Sequence, residues 1–261
     1  MSNVYQFSLG DAPLLISVPH DGRDIPEDIE LRMTDAGRQI PDTDWHVAKL
    51  YDFASSMGAS VIVANYSRYV VDLNRSAKDE NLYPGQVATG LCPEQTFDGA
   101  AIYLADGTDA DERAARIENY WRPYHDKIQT TLTAMCDQYG YALLWDAHSI
   151  PSLVPRLFEG ELPVLNLGSN NSASCSAGAE AAVAKALSRS PYSNVVNGRF
   201  KGGHITRYFG DPQNNVHALQ LEIAQRAYMD EATGMYDDDK AAKLRDTLTD
   251  LLKTYLSAVK A

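Results

Sequence analysis

The chain has 261 residues, 44% hydrophobic and 22% charged, a composition that builds a substantial globular core and argues against disorder. Its formal net charge of -12 repels polyanions, which excludes nucleic acid and anionic membrane surfaces as natural partners but leaves room for a small anionic ligand held by a few arginines in a cleft. The three cysteines, Cys92, Cys136 and Cys175, are far apart and lack C-x-x-C spacing, so neither a disulfide framework nor a thiolate zinc site follows, and a reducing, cytoplasmic setting is expected.

The N-terminal run MSNVYQFSLGDAPLLISVPHDG has neither the basic start nor the long apolar stretch of a signal peptide, and no window approaches the length of a membrane span. Leu14 to Val18 reads as a buried strand ending at Pro19-His20. Trp45 to Met57 reads as a helix, with Val47, Leu50, Tyr51 and Ala54 on one face and Gly58 at the C-cap. Ser60 to Ala64 is strand-like, and Tyr69-Val70-Val71 reads as another short strand. From about Asn74 to Gly107 the chain is rich in Gly, Pro and polar residues, a long loop of the kind that carries function.

Asp109 to Tyr139 has a long helical pattern with a kink expected at Pro123. Tyr141 to Trp145 is a second buried strand, ending at Asp146-Ala147-His148. Ser172 to Leu187 reads as helix, Val216 to Ile223 as strand and Lys240 to Val259 as an amphipathic C-terminal helix. Short apolar runs alternating with longer amphipathic stretches predict an α/β fold. No repeat, low-complexity tract or linker interrupts the chain, so residues 1–261 are expected to form one domain.

Polar clusters follow or interrupt the apolar strands, and ligand sites in open α/β sheets gather at the carboxyl ends of strands. His20 follows the first strand, Asp42 and Asp44 precede a helix, Asp146 and His148 follow LLW, and Glu222 lies inside ALQLEIA. Each has a plainer reading. His20 suits a turn, either aspartate an N-cap, and Glu222 a salt bridge to a core arginine. Together they offer two histidines and a carboxylate for zinc, which favours three such ligands and an open position, with Glu222 left over as a base for water. No HExxH run is present, so the ligands have to converge from separate strand ends. Arg68 and Arg75 are candidate carboxylate holders, with Asn74 as an added donor, although one arginine is expected to pair with Asp72. Ser149 follows His148, but without a G-x-S-x-G elbow a serine hydrolase is set aside.

The runs SVPHDGRDIP, DTDWHVAKLYDFA, YSRYVVDLNR, LCPEQTFDG, YWRPYHD, LLWDAHSI, PRLFEG, NGRFKGGHITRYFG and HALQLEIAQ stand in collinear order from about Leu14 to Met229. In these motifs the chain resembles the N-formylglutamate amidohydrolase family, itself similar to the zinc carboxypeptidases and the aspartoacylase group. The resemblance implies a phosphorylase/hydrolase-like mixed sheet flanked by helices. It also implies a single zinc and hydrolysis of N-formyl-L-glutamate to formate and L-glutamate, the last step of histidine breakdown. By the same resemblance His20 stands at the first ligand, His148 at the third, Glu222 at the catalytic base and Arg68 beside the acyl oxygen. Asn74 and Arg75, in the run Asp72-Leu73-Asn74-Arg75, stand where a substrate carboxylate is bound.

Position 23 is Arg where those relatives carry the Glu of His-x-x-Glu, so the carboxylate ligand is expected from Asp44, with Asp42 as the alternative. Arg207 and His204 in GGHITRYFG, and Arg156 in PRLFEG, are the further substrate-binding candidates, with Gly202 and Gly203 allowing close backbone approach. Asp146 is a candidate to orient a ligand or an arginine. A different N-acyl acidic amino acid is the competing substrate, and a non-catalytic binder of acidic amino acids is the competing class. A buried glutamate beside the pocket argues against the binder.

Overall fold

The computed structural model describes residues 3–80, 89–105 and 107–259. One sheet organises them. Its strands are β1 (Tyr5–Ser8), β2 (Leu14–Val18), β3 (Ser60–Ala64), β4 (Ala142–Ile150), β5 (Leu165–Gly168), β6 (Asn194–Val196) and β7 (Val216–Ala224), arranged β1-β3-β2-β4-β7-β5-β6. The inner four, β3, β2, β4 and β7, run parallel; β1 pairs antiparallel with β3 at one side, and β5 antiparallel with β7 at the other. This is the mixed α/β sheet flanked by helices that the resemblance implies.

The helices are α1 (Glu27–Glu30), α2 (Asp35–Arg38), α3 (Val47–Leu50), α4 (Ala110–Arg116), α5 (Arg122–Tyr139), α6 (Ala177–Leu187), α7 (His204–Phe209) and α8 (Asp238–Ala258). Strand alternation divides them between the two faces. Leu14, Ile16, Leu143, Trp145, Leu219 and Leu221 point to one side, against α6 and α8 through Val183, Leu187, Leu248 and Leu252. Leu15, Leu144 and Ala218 point to the other, against Tyr124, Ile128 and Leu132 of α5 and Ile205 and Phe209 of α7. Among the described residues no helix is long and apolar enough to cross a membrane.

The second face changes character along the strands. Leu15, Leu144 and Ala218 share one row; the next row on that face is Ser17, Asp146 and Gln220, and the row after it holds His148 beside Glu222. An apolar floor therefore becomes a polar shelf at the carboxyl ends of parallel strands, within two steps of the pleat.

Several expected elements differ. Trp45 to Met57 is not one helix: α3 spans only Val47–Leu50, and a tighter 3-10 turn carries Asp52–Met57 to Gly58, whose φ of 76° makes the left-handed exit. The Asp21 carboxylate starts α3 by accepting from the backbone N–H groups of His46 (3.2 Å) and Ala48 (2.8 Å), with His46 itself at φ 64°. Tyr69-Val70-Val71 is a buried turn, not a strand; Arg116 donates to the carbonyls of Tyr69 and Val70, so the run is apolar because it is buried. Pro123 comes just after a π-helical turn, Ile117–Trp121, which joins α4 to α5 and absorbs the lost backbone donor. The strand expected at Tyr141 to Trp145 runs on to Ile150, so Asp146 and His148 lie within it, because β7 pairs with it along its whole length. The helix expected from Ser172 begins at Ala177, since Asn170, Asn171 and Ser172 all hold positive φ and Ser176 supplies the cap.

Leu144→Ala, which opens a cavity under the polar shelf, is expected to cost about 2–5 kcal/mol in urea unfolding. Leu104→Ala, at a side chain 69% exposed, is expected to change stability by no more than about 0.5 kcal/mol.

Candidate metal centre and its cleft

Three elements bring three donors together. The His20 backbone carbonyl, just past β2, accepts from the Asp44 N–H (3.0 Å), which pins the turn before α3 against the sheet. His148 reaches the same point from β4. One ligand atom from each of His20, Asp44 and His148 lies within 4.8 Å of the others, and the residues are 3%, 1% and 2% exposed. Asp44 Oδ2 stands 3.0 Å from His148 Nδ1 and 3.7 Å from His20 Nδ1. Asp42 takes no part in this set. Its buried carboxylate accepts from the Tyr69 hydroxyl (2.6 Å) and the Phe97 N–H (2.8 Å).

The far nitrogen of each imidazole meets a carboxylate. His20 Nε2 lies 2.8 Å from Asp72 Oδ1, and His148 Nε2 lies 2.9 Å from Asp146 Oδ2. At His20, donation from Nε2 to Asp72 leaves the Nδ1 lone pair facing inward, the arrangement in which a histidine takes a metal. Among the described residues His20 Nδ1 makes no hydrogen bond although it is buried. A buried nitrogen left over in this way, beside a second imidazole and a carboxylate oxygen, is the donor set that suits zinc. The residues present therefore fit a small divalent cation.

The charges depend on one another. Burial alone raises the Asp44 pKa, but the adjoining His148 and His20 imidazoles outweigh it and hold the carboxylate below its usual range. Burial lowers the His148 pKa, and Asp146 and Asp44 more than reverse this. Asp72 also stays ionised against its burial, because Arg68 donates to its Oδ2 at 2.7 Å while His20 lies on Oδ1. Glu222 is the exception: burial dominates, and its carboxyl is pushed well above the ordinary range.

These groups open onto a narrow cleft with a cavity volume of about 70 Å³. His20, Asp44, Arg68, Asn74, Arg75, His148 and Glu222 all line it. Arg68 lies 3.6 Å from Asp44 Oδ1, and its guanidinium packs on the Phe97 ring, 5.0 Å from the centroid. Asn74 is oriented by the Ile205 N–H, which donates to Oδ1 (2.8 Å) and leaves Nδ2 3.0 Å from His148 Nε2. Gly203 gives α7 this approach, since a Cβ there would fall 2.2 Å from Asn74 Nδ2. Arg75 donates to the Thr89 carbonyl and hydroxyl and to its neighbour's carbonyl.

Three expected residues are placed elsewhere. Arg207 and His204 border a separate depression with Trp121 and Tyr208, and Arg156 reaches toward Gln95 and the Thr96 carbonyl. Being near a glycine-rich motif does not set the direction of a side chain. The cleft also has lining residues the sequence did not single out: Arg199, Gln220, Phe97 and Phe200. Gln220 was legible, since it stands two positions before Glu222 on the same face of β7. Arg199 lies in an aperiodic segment that gives no such signal.

Over 260 residues the chain is 46% identical to the N-formylglutamate deformylase of Pseudomonas aeruginosa, with 98% of this chain and 97% of the relative covered. It is 45% identical to that of Pseudomonas putida over the same shares. The solved N-formylglutamate amidohydrolase of Ralstonia eutropha superimposes with a TM-score of 0.82 at 26% identity, covering 97% of each chain. A gene product of Agrobacterium tumefaciens shares the fold, with a TM-score of 0.76 at 16% identity over 98% of this chain and 96% of its own. The family model for N-formylglutamate amidohydrolase matches residues 12–229, and the chain belongs to that family.

Proposed function

We propose that this chain hydrolyses N-formyl-L-glutamate to formate and L-glutamate, with one zinc ion held by His20, Asp44 and His148. The relatives' activity, carried at 46% identity across nearly the whole chain, supports the substrate. The observation that carries the mechanism is the convergence of His20, Asp44 and His148, with Glu222 directly across the strand pair from His148. When bound, such a cation acts as a Lewis acid and brings the pKa of water toward neutrality.

The protein's own groups do the rest. Glu222 accepts the proton of the attacking water and returns it to the leaving nitrogen; its raised pKa suits a group that both takes and gives a proton near neutral pH. Arg68, held by Asp72, presents a fixed positive charge to the formyl oxygen as negative charge develops there. Asn74 and Arg75 receive the carboxylate nearest the scissile amide, since Asn74 touches His148. Phe97, anchored through its N–H to Asp42 and stacked on Arg68, walls the acyl end of the cleft and suits a substituent as small as formyl.

Dialysis against a strong chelator is expected to abolish formate release from N-formyl-L-glutamate, and zinc to restore it; undiminished turnover in metal-free protein ends the proposal. Glu222→Gln is expected to lower kcat by roughly 10²–10⁴-fold with metal content unchanged. Asp146→Asn removes the negative charge of the acceptor behind His148 and is expected to weaken zinc binding about 10–100-fold, read by competition with a chromogenic chelator.

A further inference from the structure

Glutamate differs from neutral amino acids by a second carboxylate, and recognition of that group needs a cation some distance from the scissile amide. Among the described residues, three arginines line the cleft: Arg68, Arg75 and Arg199. Arg68 is bound to Asp72 beside the donor cluster, and Arg75 follows Asn74, which touches His148. In the reading above Arg68 serves the acyl oxygen and Arg75 the carboxylate nearest the amide, which leaves Arg199 as the lining arginine without a role. Its Nε donates to the Leu157 carbonyl (2.9 Å), and its guanidinium carbon lies 5.4 Å from the centre of the Phe200 ring.

Leu157 and Phe200 both line the cleft beside it. A glutamate side chain has two methylenes followed by a carboxylate, and an apolar wall followed by a guanidinium matches that sequence of groups. The hydrogen bond to Leu157 and the stacking on Phe200 fix the guanidinium in advance, so little side-chain freedom is lost on binding. Arg207 and Arg156 do not serve here, because neither borders this cleft.

We propose that Arg199 binds the side-chain carboxylate of the substrate and sets the preference for acidic over neutral N-formyl amino acids. This rests on the substrate reading above and adds the residue that enforces it. A carboxylate that takes no part in the bond change is held equally in the ground and transition states, so losing Arg199 raises KM and leaves kcat in place.

The test compares wild type, Arg199→Gln and Arg199→Lys on N-formyl-L-glutamate and on N-formyl-L-norvaline, which has the same chain length without the charge. Arg199→Gln is expected to raise KM for N-formyl-L-glutamate roughly 10–100-fold, the worth of a charge-assisted hydrogen bond, with kcat and the norvaline reaction nearly unchanged. Arg199→Lys is expected to keep part of the preference. Equal loss on both substrates, or no loss on either, overturns the proposal.

A parallel calorimetric titration of L-glutamate and L-norvaline needs no turnover. Should wild type fail to cut N-formyl-L-glutamate, the substrate reading fails, and the titration still judges Arg199 by whether its glutamine variant loses affinity for L-glutamate alone. If Arg199→Gln does not fold, by melting temperature and metal content, the lysine variant decides by the same comparison.

Discussion

Four carboxylates are buried within one small volume at the ends of the parallel strands: Asp44, Asp72, Asp146 and Glu222. Taking charges out of water costs several kcal/mol each unless they are paired. Among the described residues, Arg68 is the one arginine that forms ion pairs with this group, through Asp72 and Asp44. The buried carboxylates outnumber the arginine paired with them, and a divalent cation on His20, Asp44 and His148 would offset the excess. Protonation of His148, favoured by Asp146 and Asp44, is the competing route to balance and uses a nitrogen the cation would need. The proposed zinc chemistry and the stability of this end of the fold thus rest on the same electrostatic requirement.

Much of that arrangement follows from alternation. Asp146 and His148 are two residues apart, as are Gln220 and Glu222, and the β4–β7 register sets the pairs side by side. Side chains two apart on a strand share a face, so the apolar floor and the polar shelf can both be read from the letters LLWDAHS and ALQLEIA. A strand does not stop where its polar residues begin, however. The apolar run ends at Trp145, whereas continued pairing with β7 keeps the extended form through Ile150.

Other features were beyond reach for stateable reasons. Asp72 was expected to pair with an arginine, and it does, but its second oxygen also holds His20, and nothing in local spacing reveals a partner 52 residues away. Edge strands β1 and β6 are short and half-buried, so they carry little periodic signal. Arg199 stands in the irregular segment after β6, and Arg207 on the short helix α7. Their directions are set by tertiary contacts, Leu157 and Phe200 for one and the Gly202 carbonyl for the other.

The turn Asp42-Thr43-Asp44 shows how closely the parts are tied. Asp42 looks outward from the donor cluster and holds Tyr69 and Phe97; Asp44 looks inward to the histidines; and the Thr43 carbonyl between them accepts from Gln225 at 3.1 Å. Behind them the Tyr228 hydroxyl bonds the Trp45 carbonyl and meets Ser149 Oγ, while the Ser149 N–H donates to Asp44 Oδ2. Each of these bonds is buried or nearly so, where an unmade partner is costly. A turn held at both ends and in its middle has one accessible geometry, and that geometry sets the donor oxygen of Asp44 and, through Asp42, the ring of Phe97. Placing the Asp44 donor oxygen and placing the Phe97 ring are therefore not independent properties of this fold: a change that loosens the turn alters both.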